Sequence, residues 1–202
     1  MALSEKTAAP KIDEILAAQN ICGFEAPGGT DKQTIHSYGP VYEALLSPLT
    51  DKACTILEVG VAHGGSMLLW HELCPKARII GMDIQNAVHP SIFPRMKPER
   101  FAFLMGDAYN DYAVGQVKAV TPDGIDFAID DGPHSLESQQ RFLQLYVPLL
   151  NPGGIAVIED IQDYGWLDSL LPLVQEDFSS EVVDIRSVKG RYDDLMLVLK
   201  RK

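Results

Sequence analysis

The stretch Cys54–Cys74 reads CTILEVGVAHGGSMLLWHELC. Its first part is a short apolar run broken only by Glu58, and it ends at Gly60. An apolar run of this length bounded by glycine reads as a strand buried on both faces. Its last part has apolar residues at helical spacing and stops before Pro75, as a helix should. Between them lie Gly60, Gly64 and Gly65. Glycines between a strand and a helix permit a tight turn and a close approach of backbone to ligand. The spacing is G-x-x-x-G-G, with Ala62 where a dinucleotide fingerprint has its middle glycine. Glu58 adds negative charge where a diphosphate would be repelled and a cationic ligand favoured. Both features weigh against a nicotinamide oxidoreductase.

The same alternation continues outward on both sides. ARIIGMDI, FAFLMGDA, DGIDFAIDD and GGIAVIED read as four further strands. SLESQQRFLQLYVPLL reads as a helix with Ser135 as its N-cap, and WLDSLLPLVQEDF as a helix broken at Pro172. EVVDIRS and DDLMLVLKR close the chain as two strands separated only by VKGRY, which suits a hairpin. Upstream, IDEILAAQ and VYEALLSPL (Val41–Leu49) are helical, and GFEAPGGTDKQTIHSYGP is a Gly/Pro-rich ordered segment. Strands alternating with helices imply an α/β fold. The expectation is a Rossmann-like, mostly parallel seven-stranded sheet with one antiparallel C-terminal hairpin strand and helices on both faces. The 202 residues suit a single domain. Residues 1–50 would form an N-terminal helical and loop cap, and residues 51–202 the ligand-binding core.

Ligands of such sheets sit beyond the carboxyl ends of the strands. Asp83 follows the second strand, 23 residues after Gly60, near the spacing of a ribose-binding acid. Asp107 and Ala108 follow the third. An adenine contact is one reading of Asp107, and a simple turn is the other. The fourth and fifth strand ends bring Asp130, Asp131 and His134 beside Glu159 and Asp160. Carboxylates converging there repel unless a proton or a cation lies between them. All-oxygen ligation suits Mg²⁺, Mn²⁺ or Ca²⁺. The alternative is that one acid of each pair caps the following helix. His134, three residues after the acid pair, suits a general base.

These motifs together resemble the class I S-adenosylmethionine-dependent methyltransferases. ILEVGVAHGGS is similar to their glycine-rich motif, GMDI to their ribose-acid motif, and LLNPGGIAVIED to the turn before their fifth strand. A narrower resemblance is to the metal-dependent macrolide-sugar O-methyltransferases of the mycinamicin and macrocin type, and to cephalosporin-hydroxylase-like proteins. It rests on GGTDKQTIHSYGPVYEALLSPL and on the D-D-G-x-H element at the fourth strand. The resemblance implies a methyl transfer to a hydroxyl of a small molecule, such as a natural-product sugar. It implies Mg²⁺ on Asp131, Glu159 and Asp160, with His134 and Asp131 in catalysis. It implies S-adenosylmethionine beside Glu58, Gly60, Gly64, Ser66, Asp83, Ile84, Asp107, Ala108, Asp130 and Tyr38. Two alternatives stand beside it: a metal-independent small-molecule methyltransferase, and a cofactor-binding accessory protein of an oxygenase pathway.

A net charge of −11 argues against nucleic acid and anionic membranes as partners. The partners expected are a hydroxylated small molecule and, as an open possibility, further copies of the chain. No signal peptide or membrane span is legible, which gives a cytoplasmic expectation. Cys22, Cys54 and Cys74 lack paired or metal-binding spacing and read as structural thiols.

Overall fold

The structure is a computed structural model that describes residues 11–202. The first residues of the expected N-terminal cap lie outside it. Seven strands form one sheet: β1 (Thr55–Val59), β2 (Arg78–Asp83), β3 (Phe101–Met105), β4 (Ile125–Asp130), β5 (Leu150–Ile158), β6 (Phe178–Asp184) and β7 (Leu195–Arg201). Their order is β3-β2-β1-β4-β5-β7-β6. Strands β1 to β5 pair in parallel, whereas β7 runs antiparallel to both β5 and β6. The chain reverses its direction of travel across the sheet between β1 and β4. That is the switch point where such sheets open a crevice.

The helices are α1 (Ile12–Gln19), α2 (Gly39–Leu46), α3 (Gly65–Leu73), α4 (Asp111–Val120), α5 (Leu136–Leu145), α6 (Leu167–Leu170) and α7 (Arg186–Lys189). They leave a buried apolar cluster on each face of the sheet. One contains Trp70, Tyr42, Phe127 and Val157, and the other Leu57, Ile80, Ala128, Phe142 and Leu197. Alternate residues of one strand enter opposite clusters, as the two-residue period of a strand requires. None of the helices of the described residues is long and apolar enough to cross a membrane.

Two local expectations change. The segment Trp166–Asp177, ahead of β6, holds only the four-residue α6 and short 3₁₀ turns, because Pro172 supplies no N–H to continue a helix. The connection between β6 and β7 is longer than a tight turn, since α7 occupies part of it and ends on Gly190 at φ +74°. Helix α4 buries Ala113, Val114 and Val117 in the apolar cluster on its side of the sheet, and Asn110 caps its start by accepting the Ala113 N–H at 3.0 Å.

The Gly/Pro-rich segment upstream of α2 is an ordered strap. Its Lys32 and His36 are buried, and so is Tyr38 at its end. Lys189 of α7 clamps it by donating to the carbonyls of Gln33, Thr34 and His36 at 2.6, 2.9 and 2.6 Å. This clamp holds the strap over the carboxyl ends of the central strands.

Candidate active site at the strand ends

A cleft of about 480 Å³ opens at the switch point. Of the residues expected in the cofactor pocket, Gly60, Asp83, Ile84, Asp107 and Ala108 line it. Asp131, His134 and Asp160 line it too. Gly60 stands at φ +86°, and a Cβ there would lie 1.8 Å from the carbonyl oxygen of Asp131. Glycine is therefore required where the β1 loop passes the end of β4. Asp83 accepts the N–H groups of Val61 and Ala62 through Oδ2 at 2.9 and 3.0 Å. Its carboxylate thus fixes the glycine loop while facing the cleft. Asp107 Oδ1 accepts the Tyr109 N–H at 2.9 Å, so it serves as a turn residue as well as a cleft wall.

Ala62, His134 and Asp160 are non-glycine residues with φ of 44°, 52° and 52°. All three border the cleft. Left-handed backbone at such residues is uncommon, and it concentrates where a site imposes a geometry.

Other expected residues lie behind the cleft rather than in it. Glu58 is fully buried and accepts from Ser66 Oγ at 2.8 Å. Burial pushes its carboxyl up to about 7. Gly64 faces Val88 and Ile92. Asp130 is buried and accepts from Tyr109 Oη at 2.5 Å, with burial holding it at about 7. Tyr38 does not reach the cofactor cleft either. It is completely buried, and its hydroxyl donates to Asp160 Oδ1.

The charge problem posed by the strand-end acids is answered by Lys32. This side chain is 2% exposed. Its Nζ donates to Asp131 Oδ2 at 2.8 Å and to Glu159 Oε1 and Oε2 at 2.8 and 2.7 Å. Glu58 Oε1 stands 3.8 Å away with no hydrogen bond of its own. Burial alone would lower the lysine pKa, but Asp131, Glu159 and Glu58 together raise it well above its ordinary value. The ammonium therefore stays charged.

This arrangement divides the expected metal ligands. Asp131 gives Oδ2 to Lys32, and its Oδ1 lies 3.8 Å from His134 Nε2. Asp160 gives Oδ1 to Tyr38, with His36 Nδ1 3.4 Å away, and its Oδ2 lies 3.6 Å from His134 Nε2. Each acid thus has one oxygen anchored from the strap side and one turned toward His134. Glu159 differs, because both its oxygens are taken by Lys32 and one also by the Tyr42 hydroxyl. It does not face the cleft. The donor atoms of Asp131, Asp160 and His134 lie within 4.8 Å of one another, whereas Glu159, the third expected ligand, has both oxygens on Lys32. Two carboxylate oxygens fit a hard divalent cation, with the His134 imidazole beside them.

Sequence reasoning missed Lys32, Tyr42, Tyr109 and Phe24, which lines the cleft from the strap side. The one sequence signal for Lys32 was the unexplained convergence of acids, which demanded a cation.

An open α/β sheet with a glycine-turn crevice and an acid at the end of β2 defines a nucleoside-cofactor domain of the class I methyltransferase type. Comparison with known proteins agrees. Residues 57–161, just over half of the chain, match the family model described as a methyltransferase domain, and the chain belongs to that family. It is 31% identical over 173 residues to an 8-demethyl-8-alpha-L-rhamnosyl tetracenomycin-C 2'-O-methyltransferase of Streptomyces olivaceus, covering 78% of this chain and 43% of that protein. It is 27% identical over 139 residues to mycinamicin VI 2''-O-methyltransferase of Micromonospora griseorubida, covering 65% and 33%. The chain thus spans less than half the length of these two relatives. Among solved structures it is similar to MycE methyltransferase from the mycinamycin biosynthetic pathway in complex with Mg and SAH. The TM-score is 0.69 at 19% identity, over 95% of this chain and 55% of that one. An O-methyltransferase from Bacillus cereus in complex with SAH superposes with a TM-score of 0.67 at 16% identity, over 100% and 94%.

Proposed function

We propose that the chain is an S-adenosylmethionine-dependent O-methyltransferase that uses a divalent cation and acts on a hydroxyl of a small molecule. The observation that carries this is the pair of free oxygens on Asp131 and Asp160, turned toward His134 Nε2 on the wall of the cofactor cleft. Names of relatives that methylate rhamnosyl tetracenomycin and mycinamicin support a natural-product sugar as the acceptor. We place the protein in the cytoplasm, and a homo-oligomer is compatible with this reading.

Asp131 and Asp160 would hold Mg²⁺, with Glu159 held back by Lys32 and Tyr42. A bound divalent cation lowers the pKa of a coordinated hydroxyl and fixes its oxygen. The chain's own residues do the rest. The β1 loop and Asp83 seat the cofactor beside the acids. His134, held in a left-handed backbone conformation, presents Nε2 to the acceptor and takes its proton. Asp131 and Asp160, each within 4 Å of that nitrogen, keep the ring beside the ion they would hold.

The test combines binding and turnover. A panel of hydroxylated natural products is assayed for methyl transfer with Mg²⁺ and with excess chelator. Asp131→Asn is expected to slow turnover by about 100-fold or more while S-adenosylhomocysteine affinity stays within about threefold. Full activity in chelator, or a normal rate for Asp131→Asn, removes the metal reading.

A further inference from the structure

We propose that Lys32 is a resident cation of the carboxylate cluster: it fills an inner position among Glu58, Asp131 and Glu159, and so restricts the site to one divalent ion at the outer position. This rests on the metal reading above and goes beyond it by naming the residue that fixes where the ion sits and how many are taken up.

The geometry points to it in three ways. The ammonium lies 2.7 and 2.8 Å from the Glu159 oxygens and 2.8 Å from Asp131 Oδ2, as a bound cation would. Glu58 Oε1 is buried, makes no hydrogen bond and stands 3.8 Å from Nζ, so three acids from three different strand ends face one point. Asp131 is shared between the two positions. By taking Oδ2, Lys32 leaves Oδ1 on the side of His134. A lysine suits the inner position because it carries a single charge and cannot exchange with solvent ions. It is a positioning residue, since it contacts a ligand of the proposed ion and not the reacting atoms.

Removing the ammonium should then open a second cation site. Metal-stripped protein is titrated with Mn²⁺, with bound ion counted by electron paramagnetic resonance and cofactor-site integrity checked by S-adenosylhomocysteine calorimetry. Wild type is expected to take up one Mn²⁺ per chain and Lys32→Met two. A folded Lys32→Met that binds one Mn²⁺ with wild-type affinity overturns the inference. Should Lys32→Met fold only in Mn²⁺, circular dichroism with and without the ion supports it instead, because the ion then replaces the ammonium.

The charge-balanced variant Lys32→Met/Glu159→Gln removes one positive and one negative group together. It isolates the positioning of Asp131. It is expected to bind one Mn²⁺ about tenfold more weakly than wild type. Wild-type affinity in this double variant overturns the positioning role. A wild-type protein that takes up no Mn²⁺ defeats the metal reading itself, and with it this inference. One ion in wild type and one, equally tight, in Lys32→Met defeats only the inference about Lys32.

Discussion

Gly60→Ala tests the turn on which the cleft depends. Two costs add at this position. Gly60 has φ +86°, and a left-handed conformation costs an alanine about 1–2 kcal/mol. The added Cβ would also fall 1.8 Å from Asp131 O and 2.8 Å from Gly132 N. Both are backbone atoms. They cannot retreat easily, because β1 and β4 are central strands locked in register at Val59 and Asp130, with Asp131 N–H bonded to Val59 O at 2.8 Å. Overpacking of this kind adds about 1–3 kcal/mol. The total expected loss is therefore about 2–5 kcal/mol. Gly153→Ala is the control, since Gly153 has φ +78° but nothing within 4 Å of where an added methyl would sit. It carries only the conformational cost of about 1–2 kcal/mol. Urea unfolding of both variants measures the difference, provided the denaturant slopes agree. Because the clash moves Asp131 and the loop together, Gly60→Ala should also weaken S-adenosylhomocysteine binding by about tenfold or more, on the order of 1.4 kcal/mol. Equal stability losses in the two variants, with cofactor binding intact, would refute the close-approach argument.

Burial holds both Glu58 and Asp130 at about 7, so between roughly pH 4 and 7 the folded chain binds more protons than the unfolded one. Their contribution to stability is therefore greatest at the acid end and falls as pH rises through that window, by on the order of 3 kcal/mol per group at about 1.4 kcal/mol per pKa unit. Chemical denaturation of metal-free protein at several pH values should show a steeper fall in wild type than in Glu58→Gln or Asp130→Asn, and parallel profiles would contradict it. Tyr42→Phe strips a hydrogen bond from the buried Glu159 carboxylate and should cost about 1.5–3 kcal/mol in urea unfolding; a neutral substitution would mean that Lys32 alone suffices to hold Glu159. Phe24 is 45% exposed and borders the cleft, so Phe24→Ala should weaken S-adenosylhomocysteine binding by several-fold with stability within about 0.5 kcal/mol. Calorimetry that finds unchanged affinity would remove it from the cofactor site.

The strand ends were legible in the sequence because each is written locally. An apolar run stops, and an acid or a glycine follows at once. Asp83, Asp107, Asp131 and Asp160 could be placed on one edge from chain order alone, and all four border the cleft. Helix α4 and the turn-like region after Asp163 were not legible in the same way. The buried face of the first is only Ala113, Val114 and Val117, and the second depends on prolines whose effect varies with context.

What each acid does was a different matter. Glu159 and Asp160 are adjacent in sequence and equally acidic, yet one is buried against Lys32 and the other reaches the cleft. The sequence by itself determined a mostly parallel α/β sheet and the gathering of acids at its strand ends, because strand periodicity and connection rules act over short stretches. Only the tertiary structure decided which carboxylate oxygens are spent internally and which face outward. Lys32 lies 99 residues from Asp131 and 127 from Glu159, and no local rule joins them. The physical reason is electrostatic: acids brought together by the sheet must find a counter-charge wherever the chain can supply one, and here the strap supplies it from the other end of the sequence.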